Sequence, residues 1–197
     1  MTPRRYIHVA IGVLLLAVLA WGINRGLERL VAPPATTVGG AAAAAAATPD
    51  AAVPHITATL FYAASDGQAL IPVRREVPLA EGVVPQGREI LTVQLQAAPP
   101  PYISAIPAGT MLRAFYVTER GDAFVDLSAD VSSKHPGGSF TELLTVYAIV
   151  NAVTANLPTI QRVQILIDGK EAETLAGHVD LRRPLIRDVT LVRESET

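Results

Sequence analysis

Gly137-Gly138-Ser139-Phe140-Thr141-Glu142 opens the longest predicted helix of the chain, and the other predicted elements are arranged around that helix. Ser139 and Glu142 have the spacing of a capping box, in which the Glu142 N–H donates to the Ser139 hydroxyl and the Ser139 N–H donates to the Glu142 carboxylate. Pro158 disfavours helical backbone at the residue before it, so the helix is predicted to end near Asn156. Apolar residues recur every three or four positions and predict one apolar stripe, formed by Phe140, Leu143, Leu144, Tyr147, Val150, Val153 and Leu157.

Short runs on both sides of this helix predict strands. Ile160 to Ile167 alternates and then becomes apolar, which favours a central strand before the Asp168-Gly169 turn. The remaining predicted elements are strands at 55–62 and 70–77, a first helix at 86–97, strands at 111–117 and 122–127, and a short edge strand at 187–192. The order β-β-α-β-β-α-β predicts an α+β fold with two helices packed on one face of a single mixed sheet.

Residues 1–54 predict a membrane anchor and a tether that precede the globular domain, residues 55–197. Tyr6 to Ile23 is almost wholly apolar, and about 18 such residues suffice for a hydrocarbon core of about 30 Å. Residues 1–31 therefore predict one uncleaved transmembrane helix that leaves the domain on the extracytoplasmic side of the cell membrane. A signal peptide cleaved after Ala20 is the alternative. Residues 32–54 contain little besides Ala, Pro, Gly and Thr, and predict a flexible linker.

Composition excludes several classes of site. The sequence has no cysteine, which excludes disulfides, thiolate metal sites, a cysteine nucleophile and a lipid-modified cysteine within it. Three of the 16 basic residues precede position 26, whereas all 18 acidic residues follow it, so the remainder carries 13 basic against 18 acidic residues. A mildly acidic domain argues against nucleic acid as a partner, because nucleic-acid binding needs a basic surface.

The blocks Ala123–Ser128, Gly137–Ser139 with Glu142, Val146–Asn151, Val163–Gly169 and Leu175–Leu181 follow one another in order within residues 56–182. Together they resemble the GerMN domain, a bacterial module named from a spore-germination and sporulation lipoprotein. This resemblance implies a fold similar to the ring-building domains of sporulation secretion machinery. It also implies a role in assembling envelope or sporulation complexes, although members occur in bacteria that form no spores.

The sequence offers only a weak candidate for a polar site. It contains no phosphate loop, nucleotide fingerprint, zinc-binding helix or nucleophile elbow. His178 and Asp180 would face one side of a strand and could form a polar site with Glu142. Alternatively, His178 donates its ring N–H to a carboxylate or carbonyl and fixes the C-terminal segment. A metal site needs three or four ligands, and the sequence offers only scattered acidic residues, so we predict no metal. Because no catalytic or cofactor-binding motif is present either, we predict no cofactor and no catalytic residue.

Two further polar features lie on the long helix. The glycine pair before Ser139 could bind an anion at the helix start. The negative charge of Glu142 would repel that anion, which favours the cap. Asn151, on or beside the apolar stripe, is predicted to bond buried backbone groups.

These features lead to two hypotheses about function. The first is a non-enzymatic, membrane-tethered interaction or scaffold module in the bacterial envelope, whose partners are envelope proteins or further copies of itself. The second is a peptidoglycan-binding or hydrolytic accessory that uses Glu142, His178 and Asp180. A shared cleft for these three side chains would favour the second hypothesis, and separate hydrogen bonds would favour the first.

Overall fold

The structure is a computed structural model of the chain, and it describes residues 53–194. The predicted membrane segment, residues 1–31, and all but the last two residues of the predicted linker, residues 32–54, lie outside the described residues. Within residues 53–194, no helix combines the length and the apolar character needed to cross a membrane.

Seven strands and three helices make up the described part. The strands are β1 (His55–Ala63), β2 (Leu70–Pro78), β3 (Leu112–Val117), β4 (Asp122–Leu127), β5 (Arg162–Ile167), β6 (Lys170–Glu171) and β7 (Leu185–Ile186). The helices are α1 (Val83–Gln94), α2 (Asp130–Ser133) and α3 (Ser139–Asn156). Both predicted helices and the first five predicted strands are confirmed, with bounds that differ by a few residues. β6, β7 and the short α2 were not predicted. In place of the predicted edge strand at 187–192, the structure has a single parallel β-bridge between Val192 and Leu70 of β2.

The strands form two sheets, so the prediction of a single mixed sheet is wrong. β1 and β2 make an antiparallel hairpin of their own. The larger sheet has the order β3-β4-β5-β6, and β7 also pairs with β5. β4 and β5 are parallel, whereas the other pairs of this sheet are antiparallel. The chain between β4 and β5 contains α3, as a crossover between parallel strands requires.

Side-chain amides close the free edge of β1, and this separates the hairpin from the larger sheet. Gln94, the last residue of α1, accepts a hydrogen bond from the Phe61 N–H at 2.9 Å and donates to the Phe61 carbonyl at 2.7 Å. Asn156, the last residue of α3, binds the N–H and the carbonyl of Thr59 in the same way, at 2.8 and 2.7 Å. Because the two amides occupy the positions of a neighbouring strand, β1 cannot pair with the other sheet along this edge.

α3 is buried on most of its surface instead of along the single stripe that was predicted. It contacts β1 of the hairpin, β5 of the larger sheet and α1. Its fully buried residues are Glu142, Thr145, Val146, Ala148, Ile149, Val150, Asn151, Ala152 and Val153. Three of these side chains are polar, and buried polar groups need hydrogen-bond partners. The partners that they find define the candidate site.

Candidate functional site

The predicted capping box at the start of α3 is wrong. The N-cap residue is Gly138, whose φ of 88° suits glycine, and no side chain caps the helix. Ser139 is the first helical residue, and the N–H of Glu142 donates to the Gly138 carbonyl at 3.0 Å. The Glu142 side chain instead points into the protein and is 0% exposed. The carboxylate accepts several charge-assisted hydrogen bonds there, and these outweigh the single hydrogen bond of a cap.

Glu142 fixes the loop that follows β6, residues 174–179, which we call the anchor loop. Its Oε1 accepts hydrogen bonds from the N–H groups of Leu175 and Ala176, both at 2.9 Å. Its Oε2 accepts one from the His178 N–H at 2.9 Å and lies 3.1 Å from His178 Nδ1. Burial raises the pKa of Glu142. The hydrogen bonds from the loop backbone and from the His178 ring together lower it by more, so the pKa lies below its ordinary value. Glu142 is therefore an ionised anchor for this loop.

The structure brings together two of the three predicted polar-site residues. His178 Nδ1 donates to the Glu142 carboxylate, and the His178 side chain is 44% exposed. Among the described residues, Nε2 of His178 has no hydrogen-bond partner. Asp180 is held elsewhere by Arg182, which donates two hydrogen bonds to it at 2.9 Å and lowers the pKa of Asp180 to about 2. The candidate site is therefore a Glu142–His178 pair without Asp180.

A second histidine, which the sequence did not single out, lies near this pair. His135 Nδ1 accepts a hydrogen bond from the Gly137 N–H at 3.0 Å, and His135 Nε2 lies 3.1 Å from the Thr145 hydroxyl. That hydroxyl donates to the Ala105 carbonyl at 2.5 Å. Burial lowers the pKa of His135, although the nearby Glu142 charge acts in the opposite direction. His135 is therefore neutral, with its proton on Nε2. No periodicity or motif marks this role, because the residues that define it come from three separate segments.

The predicted role of Asn151 is confirmed. Its side-chain amide donates to the Asp188 carbonyl at 2.7 Å and accepts from the Asp188 N–H at 3.1 Å. Glu142 and Asn151 therefore fix two parts of the C-terminal segment, residues 172–194, to α3. The buried polar side chains of this helix are all bound to groups of the domain itself.

A mostly apolar cleft of about 410 Å³ lies next to the His135 cluster. It is lined by the segment 103–108, by Pro136, and by Thr141 and Leu144 of α3. Glu142 and His178 do not line it. Within residues 53–194, no group of three or more histidine or acidic side chains is arranged to hold a metal ion.

Comparisons with known proteins agree with this architecture. The family profile described as "Germane: Sporulation and spore germination" matches residues 59–173. No match to a curated protein was found. A protein described as a lipoprotein, from Clostridium perfringens, is similar with a TM-score of 0.50 and 20% identity over 70% of this chain and 91% of that chain.

The tandem GerMN domains of the sporulation protein GerM from Bacillus subtilis are also similar. The TM-score is 0.51 and the identity is 16%, over 68% of this chain and 46% of that chain. This chain therefore spans less than half of the tandem structure. At these identities the two likenesses concern the fold.

Proposed function

Because this chain belongs to the Germane family of sporulation and spore germination domains, we propose that it is a non-enzymatic interaction module of the bacterial envelope. It would support the assembly of sporulation or cell-wall complexes. The proposal rests on one observation, which is that the buried polar side chains of α3 bind the domain itself. Glu142, Thr145 and Asn151 all bind backbone groups of the domain, so their capacity for hydrogen bonding serves the fold.

We propose that the domain works at the outer surface of the cell membrane, on a single-pass anchor within residues 1–31. The basis is the apolar run from Tyr6 to Ile23. The Clostridium perfringens relative is described as a lipoprotein, whereas this sequence has no cysteine to carry a lipid. The apolar run would take over the role of the anchor. A flexible linker of about 22 residues has a root-mean-square span on the order of 25–30 Å, which would keep the domain close to the membrane.

The proposed contact surface is the face of the larger sheet that carries Tyr116 and Ile186. Tyr116 pairs with Phe124 across β3 and β4, and Ile186 pairs with Arg162 across β7 and β5. Alternation along β4 and β5 brings these four side chains to one face of the sheet. Tyr116 and Ile186 are 59% and 64% exposed, whereas Phe115, which points to the opposite face, is 2% exposed. The partner would be an envelope protein or another copy of the chain.

Crosslinking in cells tests this proposal. The full-length protein is compared with residues 55–197 exported to the same compartment. We expect specific crosslinked species from the anchored protein and few from the detached domain, because anchoring raises the local concentration and lets weak contacts accumulate. Absence of specific crosslinked species from the anchored protein would overturn the proposal.

The Glu142–His178 pair supports one other candidate, a peptidoglycan-binding or hydrolytic accessory. The carboxylate accepts from Nδ1 and would orient the imidazole so that Nε2 could take a proton from a water molecule or a hydroxyl group. This candidate lacks Asp180, which is engaged by Arg182. Incubation of the full-length protein with peptidoglycan fragments would decide between the two. If the wild type turned over a fragment and His178→Ala did not, the hydrolytic accessory would be favoured and the non-enzymatic interaction module would be rejected.

A further inference from the structure

His135 is half-buried, and its hydrogen bonds depend on a neutral ring. Its Nδ1 accepts a hydrogen bond from the Gly137 N–H at 3.0 Å, and its Nε2 faces the Thr145 hydroxyl. A protonated imidazole carries hydrogen on both nitrogens and accepts no hydrogen bond. Protonation would therefore place two N–H groups against each other at the Gly137 contact. The segment must then move, because no acceptor would remain between His135 Nδ1 and Gly137.

We propose that protonation of His135 opens segment 135–138 and thereby widens the adjacent cleft, which makes the start of α3 a pH-sensitive latch. Pro136 belongs to this segment and lines the cleft of about 410 Å³. The cleft is also lined by Ala105, whose carbonyl is bound by the same Thr145 hydroxyl that faces His135. Loss of the Gly137 bond would therefore release Pro136 from the cleft lining, while Thr145 of α3 still holds Ala105. Gly137 and Gly138 have φ values of 85° and 88°, so the segment enters the helix through two residues whose conformation suits only glycine without strain.

No charged group near His135 compensates for the loss of the Gly137 hydrogen bond when the ring is protonated. Burial disfavours the protonated ring most strongly, and His178 of the anchor loop also disfavours it, whereas the Glu142 charge and a hydrogen bond to the Thr141 carbonyl favour it. Glu142 makes no hydrogen bond to His135 and already accepts from the anchor loop, so it does not replace the lost acceptor. Lys134, the preceding residue, is paired with Asp130 at 2.7 Å. The segment 103–108 contributes a backbone carbonyl and no titratable group.

The direction of the pH effect follows from the burial of the ring. Burial lowers the pKa of His135 below its ordinary value of 6.5, so the opened segment binds a proton more readily than the closed one. The latch is therefore closed above about pH 6.5 and weakens as the pH falls below that value. Glu142 has a pKa below its ordinary value of 4.5, so it stays ionised in this range and the anchor loop remains attached.

Hydrogen–deuterium exchange of the full-length protein in detergent micelles tests the latch. Exchange at pH 7.5 and pH 5.5 is compared after correction for the intrinsic exchange rates. We expect peptides that cover residues 135–142 to lose protection, by up to about tenfold per pH unit below the ordinary pKa. The β1–β2 hairpin, residues 55–78, should keep its protection. Equal protection of residues 135–142 at both pH values would overturn the proposal.

Variants assign the effect to one histidine. His135→Asn places an amide oxygen where Nδ1 accepts and cannot titrate, so protection of residues 135–142 should become independent of pH. His55→Asn is the matched control, because His55 is exposed at the start of β1 and this variant should keep the pH effect. If His135→Asn does not fold, His135→Gln is the second variant without a titratable ring. A pH effect that persists unchanged in the folded His135 variant would show that another group is responsible.

Discussion

The Oε2 atom of Glu142 accepts a hydrogen bond from the N–H of His178 at 2.9 Å, although 36 residues separate the two along the chain. This contact joins the first turn of α3 to the anchor loop, and the anchor loop leads to β7 of the larger sheet. A carboxylate at this position therefore fixes the C-terminal segment relative to the central helix. The consequences for stability differ from those of a helix cap, and mutation can separate the two roles.

Glu142→Gln should destabilise the domain. The amide that replaces the carboxylate has one acceptor oxygen, and its NH₂ group would face N–H donors of the anchor loop. Buried donors that lose their acceptor cost about 1–3 kcal/mol, so we expect a loss of that order in urea unfolding. Ser139→Ala is the control and should change stability little, because no side chain caps α3. If Ser139→Ala lowered the free energy of unfolding strongly and Glu142→Gln left it unchanged, the capping box would be the better explanation.

Acid should weaken the attachment of the anchor loop to α3 and thereby destabilise the domain. The folded-state pKa of Glu142 lies below its ordinary value of 4.5, so the unfolded state binds the proton more readily. The stabilisation by Glu142 is present above pH 4.5 and is lost as the pH falls through the lower folded-state pKa. Urea unfolding between pH 6 and pH 2 should therefore show a steeper decline below pH 4.5 in the wild type than in Glu142→Gln. Parallel curves for the two proteins would contradict the ionised anchor.

Asn156→Ala should weaken the domain and open the edge of β1. The substitution leaves the N–H and the carbonyl of Thr59 without the partners that now lie at 2.8 and 2.7 Å. We expect a loss of about 1–3 kcal/mol in urea unfolding. Because an unpaired strand edge invites pairing with other chains, light scattering should also reveal association at high protein concentration. Gln96→Ala, at an exposed position just after α1, is the control that should do neither.

The long-range hydrogen bonds of Asn156 and Glu142 show which parts of the fold could not be predicted from the sequence. The helices and the longer strands follow from local periodicity, and the structure contains them near the predicted bounds. The Ser-x-x-Glu spacing is also a local signal, but the Glu142 side chain is directed by donors in a loop more than 30 residues away. Likewise, no local pattern reveals that the amides of Gln94 and Asn156 occupy the edge of β1. These contacts decide both the number of sheets and the composition of the site.

The exposed apolar side chains of the proposed contact face should be needed for association. Tyr116→Ser and Ile186→Ser should reduce the crosslinked species of the full-length protein in cells, because they remove the most exposed apolar side chains from that face of the larger sheet. Both side chains are largely exposed, so unfolding by urea should change little. Leu79→Ser is the matched control, because Leu79 is an apolar residue that is 50% exposed beyond the end of β2, outside the larger sheet.

The comparison has a definite contrary outcome. If Leu79→Ser reduced the crosslinked species as much as Tyr116→Ser, exposed apolar area in general would drive the association, and the sheet face would lose its special role. If Tyr116→Ser and Ile186→Ser left the crosslinks intact while the wild type still formed them, the interaction module would stand but its contact surface would lie elsewhere. The proposed surface requires loss in both sheet variants and retention in Leu79→Ser, since only the first two residues lie on that face of the sheet.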